Sequence, residues 1–258
     1  MKKWIMLALG LLGLLPVVSP ALAAPVALFD EGHGQPFLAG GTGPLDLSSL
    51  AASFVAAGYE VRSATQPLDA GQLQMVDVLI ISGAFRPLTP TELAGVRTFL
   101  EEGGGVAVML HIAPPLAGLL DILQVDYANG ILHDMMNNIE NSTQNFQVME
   151  LTEHPLTAGI QRFSVYGAWA LRGRDPAVMP VASSSPHGWV DLNHDGRLTP
   201  GDAIGSFGLI VAGTVGQGRF VVCGDDALFQ NRFLDADNRL LAERLAKWLR
   251  RSPPSIAN

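Results

Sequence analysis

The chain has 258 residues, 48% of them hydrophobic, with 24 acidic against 16 basic residues and a formal net charge of −8. That length gives one large α/β domain or two small ones with a sizeable core, and the acidic balance disfavours nucleic acid and anionic membranes while favouring cations. Cys223 is the only cysteine, which excludes an intrachain disulfide.

Lys2 and Lys3 precede an apolar run from Trp4 to Val18 and then Ser19-Pro20-Ala21-Leu22-Ala23. A charged start, a short apolar stretch and an Ala-x-Ala end form a secretory signal pattern, so residues 1–23 read as a signal peptide. Cleavage after Ala24 would leave Pro25 beside the scissile bond, which favours cleavage after Ala23. The alternative is an uncleaved anchor, for which the run is short. No later stretch is long and apolar enough to span a membrane. The chain is therefore expected to be exported, to the periplasm or the medium, and loss of two lysines makes it more acidic still.

Val26-Ala27-Leu28-Phe29 runs directly into Asp30-Glu31-Gly32-His33-Gly34. An apolar run stopping at turn residues suits a fully buried parallel strand. Leu47, Leu50, Ala51, Phe54 and Val55 then show helical spacing up to Gly58, and a second strand is expected over residues 59–62. Val76-Asp77-Val78-Leu79-Ile80-Ile81 predicts a third strand ending at Ser82-Gly83. Thr89-Pro90-Thr91-Glu92 is a helix start, with proline early and acid in the first turn. Val106-Ala107-Val108-Met109-Leu110 predicts a fourth strand entering His111, and Pro114-Pro115 restarts a helix through Leu123.

Residues 126–147 read as an Asn-rich, Met-containing loop, an insertion or a lid. Weaker strands are expected over 147–151, 169–172 and 178–182. Residues 208–214 and 219–224 read as two strands joined by Val215-Gly216-Gln217-Gly218, a hairpin signal. An amphipathic helix closes the chain over 238–250. The alternation predicts an α/β fold with a doubly wound, mostly parallel, flavodoxin-like sheet and a C-terminal hairpin. With neither repeats nor a linker, residues 24–250 are expected to form one domain, with a tail over 251–258.

Asp191-Leu192-Asn193-His194-Asp195-Gly196-Arg197-Leu198-Thr199-Pro200-Gly201-Asp202 matches a calcium loop. Acids or amides stand at positions 1, 3 and 5, glycine at 6 and an acid at 12. Calcium takes six to eight hard oxygens, which alternate side chains and the position-7 carbonyl supply around the turn at Gly196. The expected ligands of a calcium ion are Asp191, Asn193, Asp195, Arg197 through its carbonyl, Thr199 and Asp202. Asp202 reaches less far than the usual glutamate. The flanks read as turn and strand, making residues 187–206 an insertion outside a helix–loop–helix hand. The alternative is an Asx-rich turn without metal.

A second group follows the strands: Asp30, Glu31 and His33 after the first, Ser82 after the third, His111 after the fourth, Asp225 and Asp226 after the last. Parallel strands would bring these ends to one edge. There Asp30, Glu31, His33, His111 and Asp225 could act as an acid–base set or hold a metal. The alternative is that they cap strand ends and bind loop backbone. His154 and His133-Asp134 read as loop-bonded. A Gly-x-Ser-x-Gly elbow is absent, and Gly40-Gly41-Thr42-Gly43 lacks a phosphate loop's lysine.

Phe29-Asp30-Glu31-Gly32-His33-Gly34, the strand ending at Gly83, the run from Gly216 to Asp225 and the closing helix resemble, in that order, the class I glutamine-amidotransferase-like fold. The closer resemblance is to its non-glutaminase branches, exported bacterial domains of unknown function and the GIFT domain of intraflagellar transport proteins. A glutaminase would place cysteine in an elbow after the fourth strand. Met109-Leu110-His111-Ile112-Ala113-Pro114 stands there instead, and Cys223 lies in a later strand. The resemblance thus implies a domain without glutaminase activity, among relatives many of which bind rather than catalyse. For an exported chain the expected role is binding of a protein or glycan ligand at the cell envelope. The alternatives are a metal-assisted hydrolase using the strand-end cluster and a structural envelope component.

Overall fold

The structure, a computed structural model, describes residues 23–111 and 116–251. The signal-peptide reading, Ala23 apart, lies outside the described residues, as do the Pro114-Pro115 helix start and the tail beyond residue 251.

The opening apolar run forms β1 (Val26–Asp30), buried at every residue. Helix α1 (Ser48–Ala56) returns the chain to β2 (Glu60–Ala64), and the single turn α2 (Ala70–Leu73) leads to β3 (Val78–Ser82). Next come α3 (Pro90–Glu101) and β4 (Gly105–Met109). The start of α3 follows from its residues. Thr89 and Glu92 bond reciprocally in a capping box, and Pro90 occupies the first turn, where no backbone N–H is needed.

After α4 (Ala117–Ile122) come nine strands, β5 (Val125–Asp134), β6 (Asn138–Ile139), β7 (Ser142–Val148), β8 (Glu150–Leu151), β9 (Phe163–Tyr166), β10 (Trp169–Gly173), β11 (Met179–Ser183), β12 (Gly188–Val190) and β13 (Ala203–Gly205). Strands β14 (Gly208–Val215) and β15 (Gly218–Cys223) pair antiparallel across Gly216 and Gln217, and α5 (Ala236–Trp248) follows.

Two expectations are corrected. Residues 126–147 are not a loop: they form β5, β6 and most of β7. β7 buries only Phe146 and Val148, so its polar sequence hides the strand. The sheet is also mixed rather than mostly parallel. Its twelve strands divide at β15, with β2, β1, β3, β4 and β15 parallel, and β14, β10, β5, β12 and β13 continuing antiparallel. β11 pairs with β14 and carries β8, while β6, β7 and β9 form a separate three-stranded sheet. A two-residue turn before β15 cannot span a parallel crossover, so the chain reverses there.

The parallel half is wound on both faces. Phe29, Ile80, Met109 and Val221 pack with Phe54 of α1 and Leu241 of α5. Leu28, Leu79, Val108 and Val222 pack on the other face with Phe99 of α3 and Leu119 of α4. This alternation reflects the period of two along each strand, and each fully buried side chain contributes about 1.5–3 kcal/mol. It fixes the carboxyl ends of β1, β3, β4 and β15 at one edge.

Candidate functional site

That edge is where open α/β sheets hold ligands. Two clusters of the expected residues meet there, and they differ in what remains available to a ligand.

The first is closed. Nδ1–H of His33 donates to Asp30 at 2.8 Å from Oδ2, and its Nε2 lies 3.0 Å from Glu92 Oε1. Gln35 completes the turn, its amide donating to Asp30 Oδ2 at 2.6 Å and its Oε1 accepting the His33 backbone N–H at 2.7 Å. Glu92 also accepts from the N–H groups of Leu68 and Thr89 and from the Thr89 hydroxyl. Ionised carboxylates only accept, so a carboxylate at each ring nitrogen favours the cationic form of the imidazole. The bond to Asp30 raises the His33 pKa; burial opposes this, and the charges of Asp30 and Glu92 reinforce it. Asp30, His33, Gln35 and Glu92 are all buried. Glu31 stands apart, accepting from the Ala39 N–H at 2.9 Å.

The second cluster has an open end. Nδ1–H of His111 donates to Asp226, 3.0 Å from Oδ1 and 3.1 Å from Oδ2. The bond to Asp226 raises the His111 pKa, against burial and with help from the charges of Asp226 and Asp225. The imidazole side chain is 20% exposed, and among the described residues no group hydrogen-bonds its Nε2. Its ring packs against Phe37, with centroids 5.7 Å apart, and Phe85, at 5.1 Å. Phe85 is 54% exposed. The neighbouring Asp225 accepts the N–H groups of Tyr166 and Ala227 at 2.7 and 2.8 Å. Burial, and next the charge of Asp226, push its pKa up to about 7.

Backbone constraints build this second cluster. Gly83 has φ +62°, and a Cβ there would stand 2.7 Å from Asp226 Oδ2. Only glycine supplies that conformation without strain while admitting the carboxylate. The Trp169 indole N–H donates to the His111 carbonyl at 2.9 Å, and its backbone N–H to Gly224 at 2.7 Å. The clusters also touch through the chain. N–H groups of Phe85 and Arg86 both donate to the His33 carbonyl, at 3.0 and 2.9 Å, and the Arg86 side chain donates to the Gly32 carbonyl at 2.6 Å. The closed turn therefore props the segment bearing Phe85.

Of the five strand-end candidates, the structure joins Asp30 to His33, leaves Glu31 aside, and pairs His111 with Asp226 while Asp225 accepts backbone N–H groups. Sequence reasoning missed Glu92, which read only as a helix-start acid, and the roles of Phe37, Phe85 and Trp169. Asp226 carried a signal, since it follows the last strand beside Asp225. Cys223 is inside β15, opposite Met109 in register, and burial pushes its thiol pKa far up.

Residues 191–202 link β12 to β13, well along the antiparallel half. Asp191 accepts the N–H groups of Asp195 and Gly196 at 3.2 and 2.8 Å, Asn193 Oδ1 that of Asp195, and Asp195 Oδ1 that of Arg197. Asp202 accepts from Leu192 and Thr199, and these bonds lower its pKa, the Thr199 backbone bond most. None of the three acids forms an ion pair with a described residue. No group of three or more His, Cys, Asp or Glu side chains among the described residues converges as a metal cluster. The potential donors are all oxygens, which suits calcium by type. His133 adjoins the loop, stacked 3.9 Å from Trp189, with its Nε2 buried and unbonded.

A family model described as a domain of unknown function, DUF4350, matches residues 42–246. The chain belongs to this family. Among curated proteins nothing matches. Of solved structures, the mmIFT52 N-terminal domain superimposes with a TM-score of 0.70 at 18% identity, over 86% of this chain and 96% of that one. A ThuA-like protein from Bacteroides uniformis ATCC 8492 gives 0.54 at 15% identity, over 90% and 95%. A cytoplasmic protein from Salmonella typhimurium LT2 gives 0.55 at 15% identity, over 88% and 100%. At these identities the likeness concerns the fold alone, and the neighbours fit the amidotransferase-like α/β fold expected from the sequence.

Proposed function

We propose that this DUF4350 domain is an exported binding or accessory protein of the cell envelope, formed as one domain over residues 24–250 and belonging to the non-glutaminase, GIFT-like side of the fold. It takes a protein or glycan ligand at the carboxyl edge of the parallel strands. The observation that carries this reading is His111, just past the end of β4: it is held by Asp226, and its Nε2, which no described residue bonds, lies beside the exposed Phe85, at the point of the chain where the resemblance would put a glutaminase's nucleophile. The only thiol is buried within a strand. The loop at Asp191, Asn193, Asp195, Arg197, Thr199 and Asp202 holds calcium, which would draw those oxygens together and fix the β12–β13 turn.

The test is retention of envelope proteins or glycans by the purified protein, compared with His111→Ala, alongside an assay for ammonia release from glutamine. Retention lost in the variant, with no ammonia released, supports the proposal. Glutamine hydrolysis, or retention of nothing, overturns it, the second outcome favouring a structural envelope component. A hydrolytic reading draws on the same dyad, because a histidine oriented by a carboxylate is the usual form of a general base.

A further inference from the structure

Resting on that reading, we infer that the His111 site takes a neutral, hydroxyl-rich ring, a sugar, stacked on Phe85 and hydrogen-bonded to His111 Nε2. The inference comes from what each alternative ligand chemistry would meet at this place. An anion would approach two carboxylates, Asp226 bonded to the imidazole and Asp225 close enough for its charge to act on the ring, in a chain of net charge −8. An ammonium group needs a carboxylate it can touch, yet the Asp226 side chain is 5% exposed and already faces His111, while Asp225 is buried with both oxygens taken by backbone N–H groups. A metal ion finds a single nitrogen, since Nδ1 is spent on Asp226 and no three acid, histidine or cysteine side chains converge among the described residues.

A wholly apolar ligand would cover Phe85 but strand Nε2 without a partner, at a cost of about 1–3 kcal/mol. A sugar meets both surfaces. Its C–H face covers the exposed ring of Phe85, which tilts 46° to the imidazole at 5.1 Å between centroids. A hydroxyl pairs with Nε2 in either protonation state, because a hydroxyl both donates and accepts. Phe37 meets the imidazole edge-on, with centroids 5.7 Å apart.

Purified protein is screened by saturation-transfer NMR against neutral mono- and oligosaccharides, with acidic sugars and a lysine-rich peptide as comparisons, and the best neutral binder is titrated by calorimetry. Phe85→Ala is expected to weaken binding at least about tenfold, or about 1.4 kcal/mol, and Phe85→Trp to retain it. His111→Gln, checked for folding by circular dichroism, is expected to weaken it as well. Binding that survives Phe85→Ala, or a preference for the acidic sugars or the peptide, overturns the inference. If no sugar binds but a protein partner is retained in a manner needing Phe85 and His111, the sugar is wrong and the binding function stands; if nothing is retained, both fail.

Discussion

The carboxylate of Asp226 has His111 as its one hydrogen-bond partner among the described residues, with Nδ1 at 3.0 and 3.1 Å from its two oxygens. A buried carboxylate that depends on one imidazole makes that pair a point of stability as well as a site.

Removing the imidazole should therefore be costly. His111→Ala leaves Asp226 buried and unpaired, and the expected loss is about 2–4 kcal/mol, less than for a fully buried pair because the ring reaches solvent. Urea unfolding measures it. Adding Asp226→Asn should return part of the loss, and a strictly additive double mutant would contradict the pairing.

Gly83→Ala forces a Cβ to 2.7 Å from Asp226 Oδ2 at a backbone φ of +62°. The expected cost is about 1–3 kcal/mol. The His111 ring should also lose its carboxylate partner, visible as a fall in its NMR titration midpoint. An unshifted midpoint would mean that Asp226 has room the structure does not show.

His33 has a raised pKa, so its contribution is fully present below its ordinary value of 6.5 and is lost as pH rises through the folded value. Glu92 behaves oppositely. Burial pushes its pKa up, but bonds from Thr89 and Leu68 and the charge of His33 outweigh this and lower it from 4.5. Its contribution is present above 4.5 and lost as pH falls through the folded value. Asp225, raised to about 7, adds a separate decline between its ordinary 3.8 and that value. The useful measurement is the stability difference between wild type and His33→Gln. That difference should shrink on the alkaline side above pH 6.5, and a difference constant with pH would remove the linkage.

Calcium at about 100 times its dissociation constant should stabilise the fold by about 2.7 kcal/mol, and raise Tm by roughly 5–10 °C for a domain of this size. Asp195→Ala should abolish the shift. Trp189, in the strand that enters the loop and stacked on His133, supplies a fluorescence signal. An unchanged Tm at millimolar calcium would leave the loop as an Asx turn.

Native Cys223 should resist thiol reagents until unfolding, since it is buried within β15. Reaction at the rate of a free thiol would place it near a surface.

Much of the parallel half was legible, because β1, β3 and β4 are short apolar runs, polar only at the last residue of β1 and β3 and bounded by turn residues, and Thr89 with Glu92 announces α3. The antiparallel half was not. Strands such as β5 and β7 carry polar residues over much of their length and bury only part of it, so their sequences look like loop when their partners are unknown. At the site, spacing brought Asp30, His33 and His111 to one edge but could not say which nitrogen each carboxylate would occupy. Glu92, lying in a helix far along the chain, closes the His33 ring only through tertiary packing. Phe85 reads as an ordinary turn aromatic until its ring is seen beside an imidazole.

Trp169 carries a consequence for engineering. Its indole N–H grips the carbonyl of His111 and its backbone N–H that of Gly224, so one residue of β10 clasps the chain segments carrying both halves of the dyad. The site is therefore not portable with the parallel strands alone. Grafting β1 to β4 and β15 into another scaffold would transplant the imidazole and the carboxylate without the clasp that sets their spacing.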